Sequence, residues 1–251
     1  MPTFPKLPQP VTPAEAFVAP ATFDAARGRA AVQHAVKHGL FKPSDIDGVE
    51  LADPALLYVP FWRVSVSVDG FHVGLSTSEG RSGRGIPMPT GGARHRDAVV
   101  MVCARTLVPY EPRLSAVFNF GTPALLEIGT NELVHANAVA AREALAAGEI
   151  VDADVDKARA EAIASAMLLR AVSPSDAIYA KYEPQVLSST FCLYPLYYAR
   201  YSYDGESRRH AGEELFVAVS GRTGEIVAEK HPSAVRAMAT KLRKLLSFDR
   251  R

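Results

Sequence analysis

The chain has 251 residues, is 48% hydrophobic and 22% charged, and sets 28 basic against 27 acidic side chains. Such a composition excludes disorder along the whole length, and a chain of this size can build its core without disulfide or structural metal. No apolar run reaches the ~18 residues of a membrane span and no basic start leads into a hydrophobic stretch, so the cytoplasm is the expected compartment. Two cysteines, Cys103 and Cys192, are too few for a disulfide scaffold or a four-cysteine zinc site.

Residues 1–13 hold five prolines, which predicts an extended arm over residues 1–16, a flexible leader or a PxxP-type ligand. A first helix is expected over 23–38, capped by Thr22 or Asp24 and stopped at Gly39. Further helices are expected at 131–147, at 154–171 with a stripe of Val155, Ala158, Ala162, Ala166 and Leu169, and at 233–246.

Residues 58–70, YVPFWRVSVSVDG, align without gaps on residues 193–205, LYPLYYARYSYDG. Both segments alternate strictly, which predicts half-buried antiparallel strands, each ending in an Asp-Gly hairpin turn at Asp69-Gly70 and Asp204-Gly205. Further strands are expected at Ala98–Thr106, Leu215–Ser220 and Glu225–Glu229, the last two joined by Gly221-Arg222-Thr223-Gly224. The fold class is therefore α+β, two related helix-plus-antiparallel-sheet halves forming an internal repeat. The expected division is a Pro-rich arm at 1–16, a first half at 17–125, a helical connection with the second half at 126–231, and a basic amphipathic helix at 232–251.

Several steps resemble a family of bacterial proteins labelled zinc-ribbon or primosomal-helicase-like. They are Leu40-Phe41-Lys42-Pro43, Tyr58-Val59-Pro60-Phe61-Trp62, Tyr194-Pro195-Leu196-Tyr197, Tyr201-Ser202-Tyr203, Gly221-Arg222-Thr223-Gly224 and Pro232-Ser233, and they span roughly residues 17–246. The resemblance implies the duplicated body of that family without its ribbon, since the cysteines for one are missing. The body carries no helicase motif.

No P-loop, no Gly-x-Ser-x-Gly elbow and no His-Glu-x-x-His helix occurs, and GRSGRG at 80–85 lacks dinucleotide-binding spacing. His34 and His38 lie four apart on a helix, yet a metal needs further ligands. Cys103 and Cys192 read as small buried side chains, and a Cys–His pair would need His72, His135 or His210 brought beside one of them. Asp45 and Asp47 read as turn and cap groups. Trp62 and the Tyr197, Tyr201, Tyr203 row read as core rather than as a stacking platform. No catalytic residue, cofactor or metal ligand is assigned.

Two segments carry binding chemistry. The Gly-rich stretch 80–97 is expected to be a mobile loop whose Arg81, Arg84, Arg94 and Arg96 suit an anionic group or a partner. The terminal helix sets Met238, Leu242 and Leu245 on an apolar stripe flanked by Arg236, Lys241, Arg243 and Lys244, fit to dock on the body, a partner or an anionic membrane surface. Residues 230–251 carry a local charge of about +6, which leaves about −5 for the rest of a chain of net charge +1, a sign that disfavours nucleic acid. The expected function is a non-catalytic intracellular adaptor or scaffold with an unidentified protein partner or a second copy of itself. The alternatives are an accessory of nucleic-acid machinery and an enzyme of unrecognised type with a site between the halves.

Overall fold

The computed structural model describes residues 11–12, 15–38, 51–78, 86–106, 128–174, 177–202 and 215–230. In chain order these form β1 (Ala16–Val18), α1 (Ala25–Lys37), β2 (Ala55–Ser78), β3 (Ile86–Cys103), a 3-10 turn (Thr130–Glu132) and β4 (Val134–His135). There follow α2 (Val139–Ala146), β5 (Glu149–Ile150), α3 (Lys157–Val172), β6 (Ala177–Tyr201), β7 (Leu215–Ser220) and β8 (Ile226–Lys230). The expected terminal helix, the N-terminal arm up to Pro10, Asp45, Asp47, Tyr203, Asp204, Gly205 and His210 lie outside the described residues.

The class is mixed α and β, but the strands join one sheet rather than one sheet per half. Its spine is the antiparallel pair β2–β6, paired from Ala55 opposite Tyr198 to Gly74 opposite Ala177 with register shifts after Ser65 and after Val73. β3 and β5 flank β2; β1 and β7 flank β6; β4 adds to β1 and β8 to β7. Only β1–β6 and β2–β5 run parallel.

Near the core end of the spine Val59 stands opposite Tyr194, and matching contacts lie on either side of this pair. Ala104 N–H donates to the Pro60 carbonyl (2.8 Å) and Gly221 N–H to that of Pro195 (2.9 Å). Val151 donates to Tyr58 (3.0 Å) and Ala19 to Leu193 (2.9 Å). Asp24 caps α1 by accepting from Arg27 N–H, and Asp156 caps α3 by accepting from Arg159 N–H, both at 2.8 Å. Trp62 Nε1–H donates to the Val155 carbonyl (2.8 Å) and Tyr197 O–H to that of Phe23 (2.9 Å), in each case the residue just before the cap.

Alternation divides the sheet's side chains. Trp62, Val64, Val66, Val68, Val100, Val102 and Phe191 meet Ala160, Ala164, Leu168 and Val172 of α3. Tyr197, Ala199, Tyr201, Val217 and Val219 meet Val32, Ala35 and Val36 of α1 on the same side. The opposite side gathers Leu57, Phe61, Met101, Cys192, Tyr194, Leu196 and Phe216 into a second buried cluster. The central strands are thus buried on both faces, not half-buried: Tyr197 and Tyr198 point opposite ways and both are enclosed.

Three helical expectations change. The stretch 131–147 splits into a 3-10 turn, a two-residue strand and an eight-residue helix. α1 matches with Asp24 as cap, but it ends at Lys37 with His38 as C-cap. The buried stripe of α3 is Ala160, Ala164, Leu168 and Val172, about 200° around from the predicted one. Alanines line both sides of this helix, so composition left its rotation open, and the fit of Ala160 beneath the sheet decides it.

Candidate interaction surface

Beyond the helices, β2, β3 and β6 continue together as a ribbon, three-stranded as far as Gly74 and two-stranded from there to Ser78. Residues 67–78 of β2 pair position for position with 86–97 of β3, a run of about 40 Å. This overturns two expectations. Asp69-Gly70 is not a turn: Gly70 has no positive φ, and it sits mid-strand because a Cβ there would come within 2.2 Å of the Lys181 carbonyl. Most of the supposed loop 80–97 is strand β3, where Gly91 (φ 154°) lies against the His72 carbonyl, again leaving no room for a Cβ.

The ribbon tolerates its prolines because of where their missing N–H groups fall. Ala104 donates to Pro60, so even-numbered residues of β3 bond β2 and odd-numbered ones face outward. Pro87 and Pro89 are odd-numbered. Odd-numbered β2 residues bond β6, and past the register shift after Ser65 the Ser67–Gln185 pairing makes Pro184 outward-facing too. Proline on both outer edges suppresses strand addition there.

What the ribbon offers is a face. Of the nine exposed large hydrophobic residues among the described ones, six belong to it. Phe71 (44% exposed), Val73 (42%), Leu75 (50%) and Tyr179 (52%) share the side away from the helices, Phe71 and Tyr179 with ring centroids 5.6 Å apart. Charged groups border this patch toward the core. His95 bonds Asp69 (2.7 Å) and Asp97 (3.3 Å), and Lys181 bonds Glu183 (3.0 Å). These hydrogen bonds, that to Asp69 foremost, raise the His95 pKa; a hydrogen bond from Ser67 is the main cause that lowers Asp97, and Glu183 raises Lys181.

Of the four candidate arginines the described residues include Arg94 and Arg96. Arg94 reaches the Val172 carbonyl at the C-terminus of α3 (3.4 Å), where a cation meets the negative end of the helix dipole. Arg96 is exposed opposite Val68 on the same helix-facing side of β3. Arg81, Arg84, Arg236, Met238, Lys241, Leu242, Arg243, Lys244 and Leu245 lie outside the described residues.

The remaining candidates are occupied or enclosed. Burial raises both thiols, Cys103 and Cys192, to about 12, and it leaves them as inert core groups. His72 bonds the Tyr182 hydroxyl (3.0 Å), His135 packs on Phe17, and His34 stacks on His38 at 4.2 Å. No group of three or more His, Cys, Asp or Glu suited to a metal occurs among the described residues. Trp62 and Tyr201 are buried, as their reading as core requires. A cavity of about 390 Å³ beside Trp62, Phe191 and Glu15 is bordered by polar groups already engaged: Asp156 caps α3 and Ser189 donates to Glu161.

The exposed face left little trace in the sequence, because Phe71, Val73 and Leu75 continue the alternation that marks the buried strand. The signal that separates them is the company they keep on β3: Pro87, Pro89, Gly91 and Gly92 are residues of an uncovered edge. Compared with family models, curated proteins and solved structures, the chain finds no match. No helix among the described residues is long and apolar enough to cross a membrane.

Proposed function

We propose that this protein is a non-catalytic interaction module, a scaffold whose working surface is the ribbon face around Phe71, Val73, Leu75 and Tyr179. The observation that carries this reading is the concentration of exposed large hydrophobics on one projecting element, with both edges of that element closed to strand addition by proline. The test is replacement of Phe71 and Tyr179 by serine. The fold is kept with at most a small fall in melting temperature, and association with the partner is lost; association that survives the double substitution rejects the ribbon as the working surface.

The body behind the ribbon is, in the same proposal, a duplicated unit of short strand, helix, long strand and returning strand: β1-α1-β2-β3 and β5-α3-β6-β7. The paired caps, the two aromatic donors and the matched bonds about Val59 and Tyr194 support it. In this reading the units exchange their first strands, since β1 lies on β6 and β5 on β2. Two buried, unbridged cysteines fit a reducing, cytoplasmic compartment. The resemblance to zinc-ribbon proteins keeps nucleic-acid machinery as a second reading, and salt-dependent binding to DNA or RNA would favour it.

A further inference from the structure

We infer that Arg63, on the side of the sheet away from the helices, anchors a binding site for a phosphoryl group, either free phosphate or a small phosphate ester. The site lies about 26 Å along β2 from Phe71 and does not depend on the ribbon's apolar patch.

The charge of Arg63 is unanswered. A guanidinium does not give up its proton in a protein, so it cannot relieve burial by becoming neutral. Four arginines among the described residues are partly buried: Arg63, Arg105, Arg200 and Arg222. Asp154 answers Arg105 (3.9 Å), the Tyr198 hydroxyl accepts from Arg200 (3.3 Å), and Glu132 answers Arg222 (3.2 Å) through an outer nitrogen although its Nε is orphaned. The Nε of Arg63 is likewise enclosed without a partner, and among the described residues no acid pairs with its guanidinium. On its face of the three strands the first acid is Asp97, level with Ser67 about 13 Å along the ladder, where Ser67 and His95 already hold it. In the other direction stand Phe61, Cys103 and Cys192.

The surroundings suit an oxyanion. Arg63 stands between Met101 on β3 and Thr190 on β6, and one level on Ser65 stands between Val99 and Ser188. Residues paired across strands share a face, so the hydroxyls of Ser65, Ser188 and Thr190 lie beside the guanidinium. A bulge follows at once: Leu187 is left over between the pairs Ser65–Ser188 and Val66–Val186, and bulges re-aim side chains next to sites. Behind Arg63 lies the apolar cluster of Phe61, Met101 and Cys192, and the Cys192 thiol feels the guanidinium's charge. A wall of low dielectric on that side strengthens the pull on an anion. A carboxylate presents two oxygens, which the guanidinium fork alone satisfies; a phosphoryl group presents more, and the three hydroxyls supply further donors.

The experiment titrates the full chain with sodium phosphate at constant ionic strength, with chloride and acetate as control ions. It follows the Arg63 Nε–H signal by NMR, assigned through its own side-chain carbons, together with the melting temperature. Phosphate is expected to move that signal saturably and to raise the melting temperature by about 3–5 °C at ten times the Kd, and chloride to do neither. Arg63→Gln is expected to lose the stabilisation and Arg94→Gln to keep it. A signal that phosphate leaves in place, or a stabilisation that survives Arg63→Gln, would overturn the inference. Acetate acting as strongly as phosphate would reject the phosphoryl group. If Arg63→Gln does not fold, the wild-type signal decides alone, and indifference to phosphate would then mean that the counter-charge comes from within the chain. Phenyl phosphate held at least tenfold more tightly than inorganic phosphate assigns the site to an ester; equal or weaker binding assigns it to the free ion.

Discussion

Phe61 and Phe71 stand on one strand and one side of the sheet, ten residues apart, yet the first is fully enclosed and the second is 44% exposed. Backbone pairing is the same at both: Phe61 faces Cys103 and Cys192, Phe71 faces Ala93 and Lys181. The ladder therefore persists where the core stops. At the core end it is held by burial of both faces. In the ribbon it is held by three strands and by cross-strand pairs such as Phe71 with Tyr179, Tyr182 with His72 and Asp69 with His95.

The largest expected effect tests that contrast directly. Phe61→Ala and Trp62→Ala should each cost about 3–5 kcal/mol in denaturant unfolding, because each empties a closed site and the second also loses the bond to Val155. Phe71→Ala should cost about 1 kcal/mol or less, the share of its cross-strand contact with Tyr179. A comparable loss at Phe71 would mean that something covers the ribbon in the monomer.

Helix capping comes next. Asp24→Ala and Asp156→Ala should each cost about 1 kcal/mol, the two values agreeing within error if the caps are equivalent. Unequal costs, measured by the same unfolding experiment, would weaken the duplicated-unit proposal.

A smaller effect has the opposite sign. The Tyr58 hydroxyl is buried without a hydrogen-bond partner, and burial raises its pKa to about 12. Tyr58→Phe should leave stability unchanged or raise it by roughly 1 kcal/mol, whereas Tyr194→Phe, which removes the bond to Ser220 (2.7 Å), should lower it by about that amount.

At the ribbon the expected change is a titration. His95 should show an NMR midpoint above 6.5, and Asp69→Asn should bring it down. Its raised value means that its contribution is full below pH 6.5 and fades as pH climbs through the raised midpoint. Asp97, held below 3.8, contributes above that pH and loses its share as pH falls through its own lowered midpoint. A His95 midpoint at or below 6.5 would mean that the pair does not form in solution.

Period-two alternation marks residues 58–70 of β2 and the end of β6 from Leu193, and Leu215–Ser220 agrees to the residue, but the longer part of β6, Ala177–Cys192, lies outside any expected strand. β1 and β5 were not legible, since three and two residues are too short for any periodicity. The ribbon departs from its local sequence signals for a different reason. Asp-Gly and Gly-Gly favour turns locally, but tertiary pairing used Gly70 and Gly91 for close backbone approach instead. For the candidate surface, the residues were visible and their exposure was not, because exposure depends on where the helices end.

The pairing of Val59 with Tyr194 has a kinetic consequence. These partners lie 135 positions apart, and the spine they belong to cannot zip from a local hairpin. Its first contact, even between the nearest partners Gly74 and Ala177, must close a loop of about a hundred residues before any β2–β6 ladder bond repays the entropy. Refolding should therefore be slow for a domain of this length, milliseconds to seconds or longer, with the returning strand β3 able to form on β2 well before β6 arrives.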